Sequence, residues 1–278
     1  MARQMTNLFD SSKCTACRGC FTACKDSNQM PALFDRSYFG GPGNGTYDSK
    51  DGDTDAETLT MIRFNETEDP VDGVRWNFLK WQCMHCNDPI CVKVCPKSAY
   101  TKLDWGATFH DEAKCIGCQY CTTACPFGIP KYRKRTDTIT KCTLCYERVA
   151  EGLSPACART CAPGAIKFGY RDELLEEARE RVKFLRVNGF PRATIYGETE
   201  LGSGTNKLYI LTDTPDKFGL PVKPQIEGNT IFWQNWVQPY FGWLIPIALG
   251  ASAISFVTSR VIGNKNKAME GHAEGGHE

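Results

Sequence analysis

All sixteen cysteines of the chain fall into four short runs, with none left over. The runs are "CTACRGCFTAC" (14–24), "CMHCNDPICVKVC" (83–95), "CIGCQYCTTAC" (115–125) and "CTLCYERVAEGLSPACARTC" (142–161). Thiols packed this closely oxidise to one another unless something else holds them, and whatever holds them limits the folds open to the chain. A disulfide scaffold belongs to short secreted chains. This chain has 278 residues and opens on "MARQMTNLFDSSK", which lacks the apolar stretch of a secretory signal. Zinc sites use C-x2-C pairs, and "CTLC…CARTC" alone could pass for one. Residues 14–20 and 115–121, however, are C-x2-C-x2-C triplets, which wrap three ligands around one larger object.

That object is a cubane iron–sulfur cluster. In the bacterial ferredoxin run C-x2-C-x2-C-x3-C-P, three thiolates bind one cluster and the fourth binds its neighbour. "CIGCQYCTTACP" matches in full. "CTACRGCFTAC" matches except for Lys25 in place of the proline, and "CMHCNDPICVKVCP" has two extra residues before its third cysteine. "CTLC-x11-CARTC" carries a longer insertion, with its proline displaced to Pro163. Four groups of four imply four 4Fe-4S clusters.

The fourth ligands can be exchanged sequentially (first run with second, third with fourth) or in a nested way (second with third, first with fourth). The short Cys95–Cys115 connection and the long Cys24–Cys83 one favour nesting, with an inner ferredoxin unit inserted into an outer one. The first cluster then takes Cys14, Cys17, Cys20 and Cys161. The second takes Cys24, Cys142, Cys145 and Cys157. The third takes Cys83, Cys86, Cys91 and Cys125, and the fourth Cys95, Cys115, Cys118 and Cys121.

The expected class is α+β, with two nested ferredoxin-like domains and one C-terminal transmembrane helix. The outer domain covers 1–34 and 136–171, and the inner one 80–135. A loop-rich insertion fills 35–79 and contains strand-like stretches at 58–64 and 74–81. Asp51, Asp53 and Asp55 imitate the start of a calcium loop, but Ala56 and Ile62 stand where Gly and Glu are needed, so a solvated acidic loop is expected. "KYRKR" (131–135) reads as a solvated basic run, with docking of an acidic partner as the other reading. A bracing segment (172–230) holds an amphipathic helix over 172–186 and a strand over 207–212. His85, inside "CMHC", is expected beside a cluster or exposed, because the cysteines already complete four ligand sets.

From Gly228 to Ser259 there is no charged side chain. As a helix, 236–258 would span about 34 Å, enough to cross a bilayer. Trp233, Trp236, Tyr240 and Trp243 cluster at one end like an interfacial belt, and Gly250–Ala253 are small enough for close helix packing. A Gly/Glu/His tail (263–278) is expected not to fold. Arg260, Lys265 and Lys267 follow the span, against Lys217 and Lys223 before it. The positive-inside rule then places the tail in the cytoplasm and the cluster domains outside it. A formal net charge of +1 leaves no nucleic-acid footprint. There is no Gly-rich dinucleotide fingerprint and no nucleophile–base set, so the chain reads as a non-catalytic wire between a donor and an acceptor.

"CTACRGC", "CMHCNDPIC", "CIGCQYCTTACPFGIP", "KCTLCYERVAEGLSPACARTCAPGAIKFG" and the single C-terminal span together resemble the iron–sulfur beta subunits of membrane-bound respiratory formate dehydrogenases, of the molybdopterin oxidoreductase family. The resemblance runs from about residue 5 to about residue 265. It implies a catalytic alpha subunit with molybdenum or tungsten, a membrane cytochrome b gamma subunit that reduces quinone, and the nested pairing of the cysteines above. Lys25 and Ala162 depart from the family pattern without removing a ligand. Related subunits serve hydrogenases and other respiratory oxidoreductases, which is the alternative reading.

Overall fold

A four-stranded mixed sheet ties the start of the chain to segments far along it. The computed structural model describes residues 3–31, 53–69, 73–226, 228, 232 and 236–273. The strands are β1 (Met5–Asp10), β2 (Thr60–Asp69), β3 (Gly73–Gln82), β4 (Tyr100–Lys102), β5 (Thr108–His110), β6 (Lys131–Arg133), β7 (Thr138–Thr140), β8 (Ile166–Tyr170), β9 (Thr194–Tyr196) and β10 (Lys207–Leu211). The helices are α1 (Gly19–Ser27), α2 (Ile90–Lys93), α3 (Tyr120–Ala124), α4 (Tyr146–Ala150), α5 (Ala156–Arg159), α6 (Arg171–Val187) and α7 (Gln238–Ala273). The main sheet has the order β8-β1-β10-β9, with β1 parallel to β10 and antiparallel to β8. Three hairpins complete the sheet structure: β2–β3, β4–β5 and β6–β7.

Alternation along the strands gives this sheet two different faces. Leu8, Leu208 and Ile210 turn toward α6 and pack with Leu174, Ala178, Val182 and Leu185. These four α6 residues recur at helical spacing, so one stripe of the helix is apolar and covers the sheet. Asp172 and Glu173 in the first turn and Arg186 in the last complement the helix dipole. Phe9, Tyr209 and Leu211 turn the other way and join a core with Trp81, Phe127, Met84 and several cysteines. The helix expected at 172–186 is present, and the expected strand at 207–212 is β10. The strand-like stretches at 58–64 and 74–81 are β2 and β3, which pair along their full length. Strand β1 had no counterpart in the sequence reading.

Most of the expected acidic loop, 35–52 with Asp51, lies outside the described residues. Beyond it, the acidic residues are engaged by groups of this same chain. Asp53 accepts from Arg63 Nη2 at 2.6 Å and from Lys131 Nζ at 3.1 Å, and Asp55 accepts the Glu57 N–H at 2.7 Å. Within the basic run, Arg133 is buried and Lys131 half-buried, whereas Lys134 and Arg135 are exposed. Arg133 pairs with Glu57 and Glu112, and Arg135 with Glu57, so the run fastens the insertion to β6. Buried on one side, these pairs orient the insertion more than they stabilise it.

Residues Met1–Ile226 form one compact unit and Glu227–Glu278 a second. In the second, α7 continues to Ala273, so most of the tail expected not to fold is helical in its backbone. Among the described residues no helix is long and apolar enough to cross a membrane. The expected span includes 238, 239 and 241–245, whose side chains lie outside the described set, as does Trp233.

Candidate metal centre

Each cysteine run begins with the same backbone device. The residue before its second cysteine is left-handed: Ala16 at φ 53°, His85 at 47°, Gly117 at 65° and Leu144 at 55°. In the two triplets the residue after that cysteine is left-handed too, Arg18 at 60° and Gln119 at 63°. Such alternation points successive N–H groups into one concavity, a nest suited to an anion. The Ala16, His85 and Leu144 N–H groups donate to Sγ of Cys14 (3.4 Å), Cys83 (3.5 Å) and Cys142 (3.4 Å). The Ile139 and Ala99 N–H groups likewise donate to Cys115 (3.4 Å) and Cys95 (3.2 Å).

Strand register then carries distant runs to one another. β1 and β8 pair Phe9 with Ile166; Cys14 lies five residues past the first and Cys161 five before the second. The inner hairpin repeats the offset: Tyr100 pairs with His110, Cys95 lies five residues before and Cys115 five after. Asp10 caps the turn Ser11–Lys13, and Asp111 caps Glu112–Lys114, each through a side-chain oxygen. The repeated D-x-x-K-C ("DSSKC", "DEAKC") is the sequence trace of this unit. Helix α1 packs on α5, and α2 on α3.

Cys14 thus lies among Cys17, Cys20 and Cys161. Cys24 lies near Cys142, Cys145 and Cys157, and Cys86 near Cys83, Cys91 and Cys125. Cys121 lies near Cys95, Cys115 and Cys118. Neighbouring sets approach through Cys20 and Cys157, Cys142 and Cys83, and Cys91 and Cys121. The four sets therefore stand in a row. Cys17 and Cys118, in the two end sets, are the exposed members.

These residues fit iron–sulfur clusters. All sixteen cysteines are free thiols. Among the described residues, no three His, Cys, Asp or Glu side chains converge closely enough to share a single ion. A cubane, with one thiolate per iron, needs the wider spacing. Cys24, Cys142, Cys145 and Cys157 line one enclosed cavity together with Gln82 and Thr60. The buried Nε2 atoms of Gln82 and His85 have no partner in the protein, as donors facing an absent acceptor would. Burial raises the thiols of Cys20 and Cys121 to about 11 and that of Cys142 to about 12. Without metal they stay protonated near neutral pH, and metal binding displaces those protons.

Residues 74–171 match the family of 4Fe-4S dicluster domains. The formate dehydrogenase iron-sulfur subunit of Haemophilus influenzae is 36% identical over 258 residues, covering 91% of this chain and 79% of the relative. The iron-sulfur subunit of the nitrate-inducible formate dehydrogenase of Escherichia coli is 37% identical over 240 residues, 85% of this chain and 79% of the relative. This protein belongs to the formate dehydrogenase iron–sulfur subunit family. One of the polypeptides of the anaerobic dimethyl sulfoxide reductase of Escherichia coli is 38% identical over 175 residues, 63% of this chain and 77% of the relative.

What the sequence reading missed in the subunit is its buried cations. Lys80, Lys141 and Lys207 are buried in the cysteine-lined core, and Lys102 is half-buried. Lys102 Nζ donates to the carbonyls of His85 (3.1 Å), Cys86 (2.8 Å) and Gly106 (2.6 Å). Lys141 Nζ donates to those of Thr108 (2.5 Å) and Cys142 (3.1 Å). The available signal was lysine within apolar strand sequence, as in "FLKWQ" and "NKLYIL". His85 is fully buried rather than exposed. Its Nδ1 accepts the Thr108 N–H at 3.0 Å, which leaves the proton on Nε2. Burial, then the charges of Lys141 and Lys102, hold it neutral.

Gly117 is the one nest position that sterically requires glycine, since a Cβ there would lie 2.5 Å from the Asp137 carbonyl oxygen. Ala16 already tolerates the same conformation, at a cost of about 1–2 kcal/mol. Gly117→Ala should therefore displace the Cys118 turn and lower the iron bound per chain. Ala16→Gly should leave iron content unchanged. Iron analysis and visible absorption of the two variants check this, and equal iron in both would refute it.

Proposed function

We propose that the subunit carries four 4Fe-4S clusters and conducts electrons from a catalytic molybdopterin subunit that oxidises formate to a membrane cytochrome b that reduces quinone. The electron-transfer role follows from membership of the family. The observation that carries the rest is the row of four cysteine sets whose exposed members, Cys17 and Cys118, stand at its two ends. Each bound cubane supplies one-electron redox chemistry at a potential set by its surroundings. The ligand sets are Cys14, Cys17, Cys20 and Cys161; Cys24, Cys142, Cys145 and Cys157; Cys83, Cys86, Cys91 and Cys125; and Cys95, Cys115, Cys118 and Cys121. The exposed cysteines belong to the two end sets of the row, and it is these ends that the protein offers to partners. The outer ferredoxin-like domain comprises 1–34 and 136–171, the inner 80–135, and 172–230 braces them.

The nested assignment is tested by Cys161→Ser. It should perturb the cluster held by Cys14, Cys17 and Cys20 and leave the others intact, as read by electron paramagnetic resonance of the reduced protein. Wild-type iron should be about sixteen atoms per chain, four for each cubane. A change in the cluster of Cys115, Cys118 and Cys121 instead would favour sequential pairing.

The similarity to a dimethyl sulfoxide reductase polypeptide supports a second reading, in which the same wire feeds a reductase. Formate added to the complex purified in detergent separates the two. Formate should reduce all four clusters, and a quinone analogue should reoxidise them. Clusters that formate leaves oxidised would rule out the first reading.

The membrane attachment is also part of this proposal. The stretch from Gly228 to Ser259 is uncharged, and Ile247, Leu249, Ile254, Phe256 and Val257 of α7 are exposed. The Ser252 and Thr258 hydroxyls donate to the carbonyls of Ala248 (2.8 Å) and Ile254 (2.9 Å), so neither needs water. Pro246 lies inside the helix, as membrane helices tolerate. With Arg260, Lys265 and Lys267 beyond the span, the C-terminus faces the cytoplasm and the cluster domains lie outside it. Protease added to intact spheroplasts should digest the cluster domains and spare a tag placed after Glu278. Protected cluster domains would reverse the orientation.

A further inference from the structure

Lys80 has no exposed surface, and the ionisable side chains around it are cysteines rather than carboxylates: Cys157, Cys20, Cys142 and Cys24. They come from the two outer ligand sets proposed above, so Lys80 stands between them. Its Nζ donates to Thr60 Oγ1 at 2.8 Å and to Gln82 Oε1. The Thr60 hydroxyl spends its own proton on the Trp81 carbonyl at 3.0 Å, which leaves its oxygen free to accept. Lys80 and Gln82, two apart on β3, share one face of the strand, and Thr60 is the cross-strand partner of Gln82.

This arrangement fixes the Gln82 amide. The oxygen end faces the ammonium, so the NH2 end faces away from it. That end is buried, has no acceptor in the protein, and belongs to a residue lining the cavity of Cys24, Cys142, Cys145 and Cys157. Lys207 lies nearby and is equally buried, with its Nζ donating to Asn7 Oδ1. Burial, then the charge of Lys80, depresses Lys207 well below the usual lysine range.

We propose that Lys80 and Gln82 raise the reduction potential of the cluster held by Cys24, Cys142, Cys145 and Cys157. Gln82 is the N–H donor in the cavity wall, and Lys80 is the positioning residue that turns the amide and places a positive charge behind it. The inference rests on the ligand assignment given above. Reduction adds one electron, and so one negative charge, to the bound cluster, at the expense of a neighbour oxidised by one. Neither Lys80 nor Gln82 changes a bond or takes an electron. A donor and a cation favour the more negative state, so they lift the potential.

The test is a potentiometric titration followed by electron paramagnetic resonance, on the complex of the full chain with its catalytic subunit. The signal of this cluster is identified first, as the one altered by Cys145→Ser. Lys80→Met should lower its midpoint by about 59 mV or more, a tenfold shift of a one-electron equilibrium. Gln82→Leu should shift it in the same direction by less, and Lys80→Arg should largely restore it. The inner clusters should not move, and iron content should stay at the wild-type value. Unchanged potentials in iron-replete Lys80→Met and Gln82→Leu would overturn the proposal, as would an equal shift of all four clusters. If Lys80→Met loses iron, Gln82→Leu decides: a lowered midpoint supports the proposal and an unchanged one overturns it. Should Cys145→Ser alter no signal, the ligand assignment fails instead.

Discussion

Anionic sulfur held out of water dominates this structure. An isolated buried thiolate is expensive, and a cluster bound by four of them concentrates that charge in one cavity. The chain answers first with its backbone, by turning N–H groups inward at left-handed residues such as Ala16, His85 and Leu144. That answer creates a second demand. A loop that points its N–H groups inward turns its carbonyls away, and these now need donors in a dry interior. Lys102 meets it behind the second run, taking the carbonyls of His85 and Cys86, and Lys141 takes that of Cys142. Lys102 and Lys141 are therefore a consequence of the nests.

Nesting is the other constraint. The first and fourth runs are far apart in sequence, and β1 brings them together. It lies between β8, which follows the fourth run, and β10, which comes from the bracing segment. Its register with β8 leads both chains toward the first cysteine set at equal distances, while its parallel pairing with β10 sets Lys207 beside Asn7. The same sheet thus aligns cysteines on one side and receives α6 on the other. Because α6 bears no cysteine, its apolar stripe provides burial that does not depend on metal.

The cysteine runs, helix α6 and strand β10 were legible because each carries a local signal: fixed spacing, a stripe at helical period, or an unbroken apolar strand. What escaped is what depends on distant partners. "MTNLFD" has Thr6 and Asn7 where a strand pattern would show apolar residues; both are buried, and Asn7 meets Lys207 Nζ and Cys157 Sγ from elsewhere in the fold. Lys80 and Lys207 read as surface residues by type; their burial makes sense only once the thiolates are placed around them. In the basic run at 131–135, Lys134 and Arg135 are exposed as a solvated run would be, and the burial of Arg133 has no local signal because its partners Glu57 and Glu112 are dispersed along the chain. Counting cysteines keeps His85 out of the ligand sets, but counting cannot tell a buried histidine from an exposed one.

A wire built this way ties folding to cofactor assembly. No set of four cysteines comes from a single run, so no run alone completes a site. The set containing Cys14 closes when Cys161 arrives, and the set containing Cys24 closes when Cys142, Cys145 and Cys157 arrive. A bound cluster then acts as a cross-link over a long stretch of chain, removing conformational freedom from the unfolded state. Metal-binding free energy in such a site becomes folding free energy. The inner sets, joined over the short Cys95–Cys115 connection, require less chain to be ordered before they close. The outer sets need β1, β8 and the β2–β3 hairpin in place as well. The unit that carries Lys80 and Gln82 is accordingly the one whose geometry depends on the whole fold, and it is there that the chain places a buried positive charge between two ligand sets.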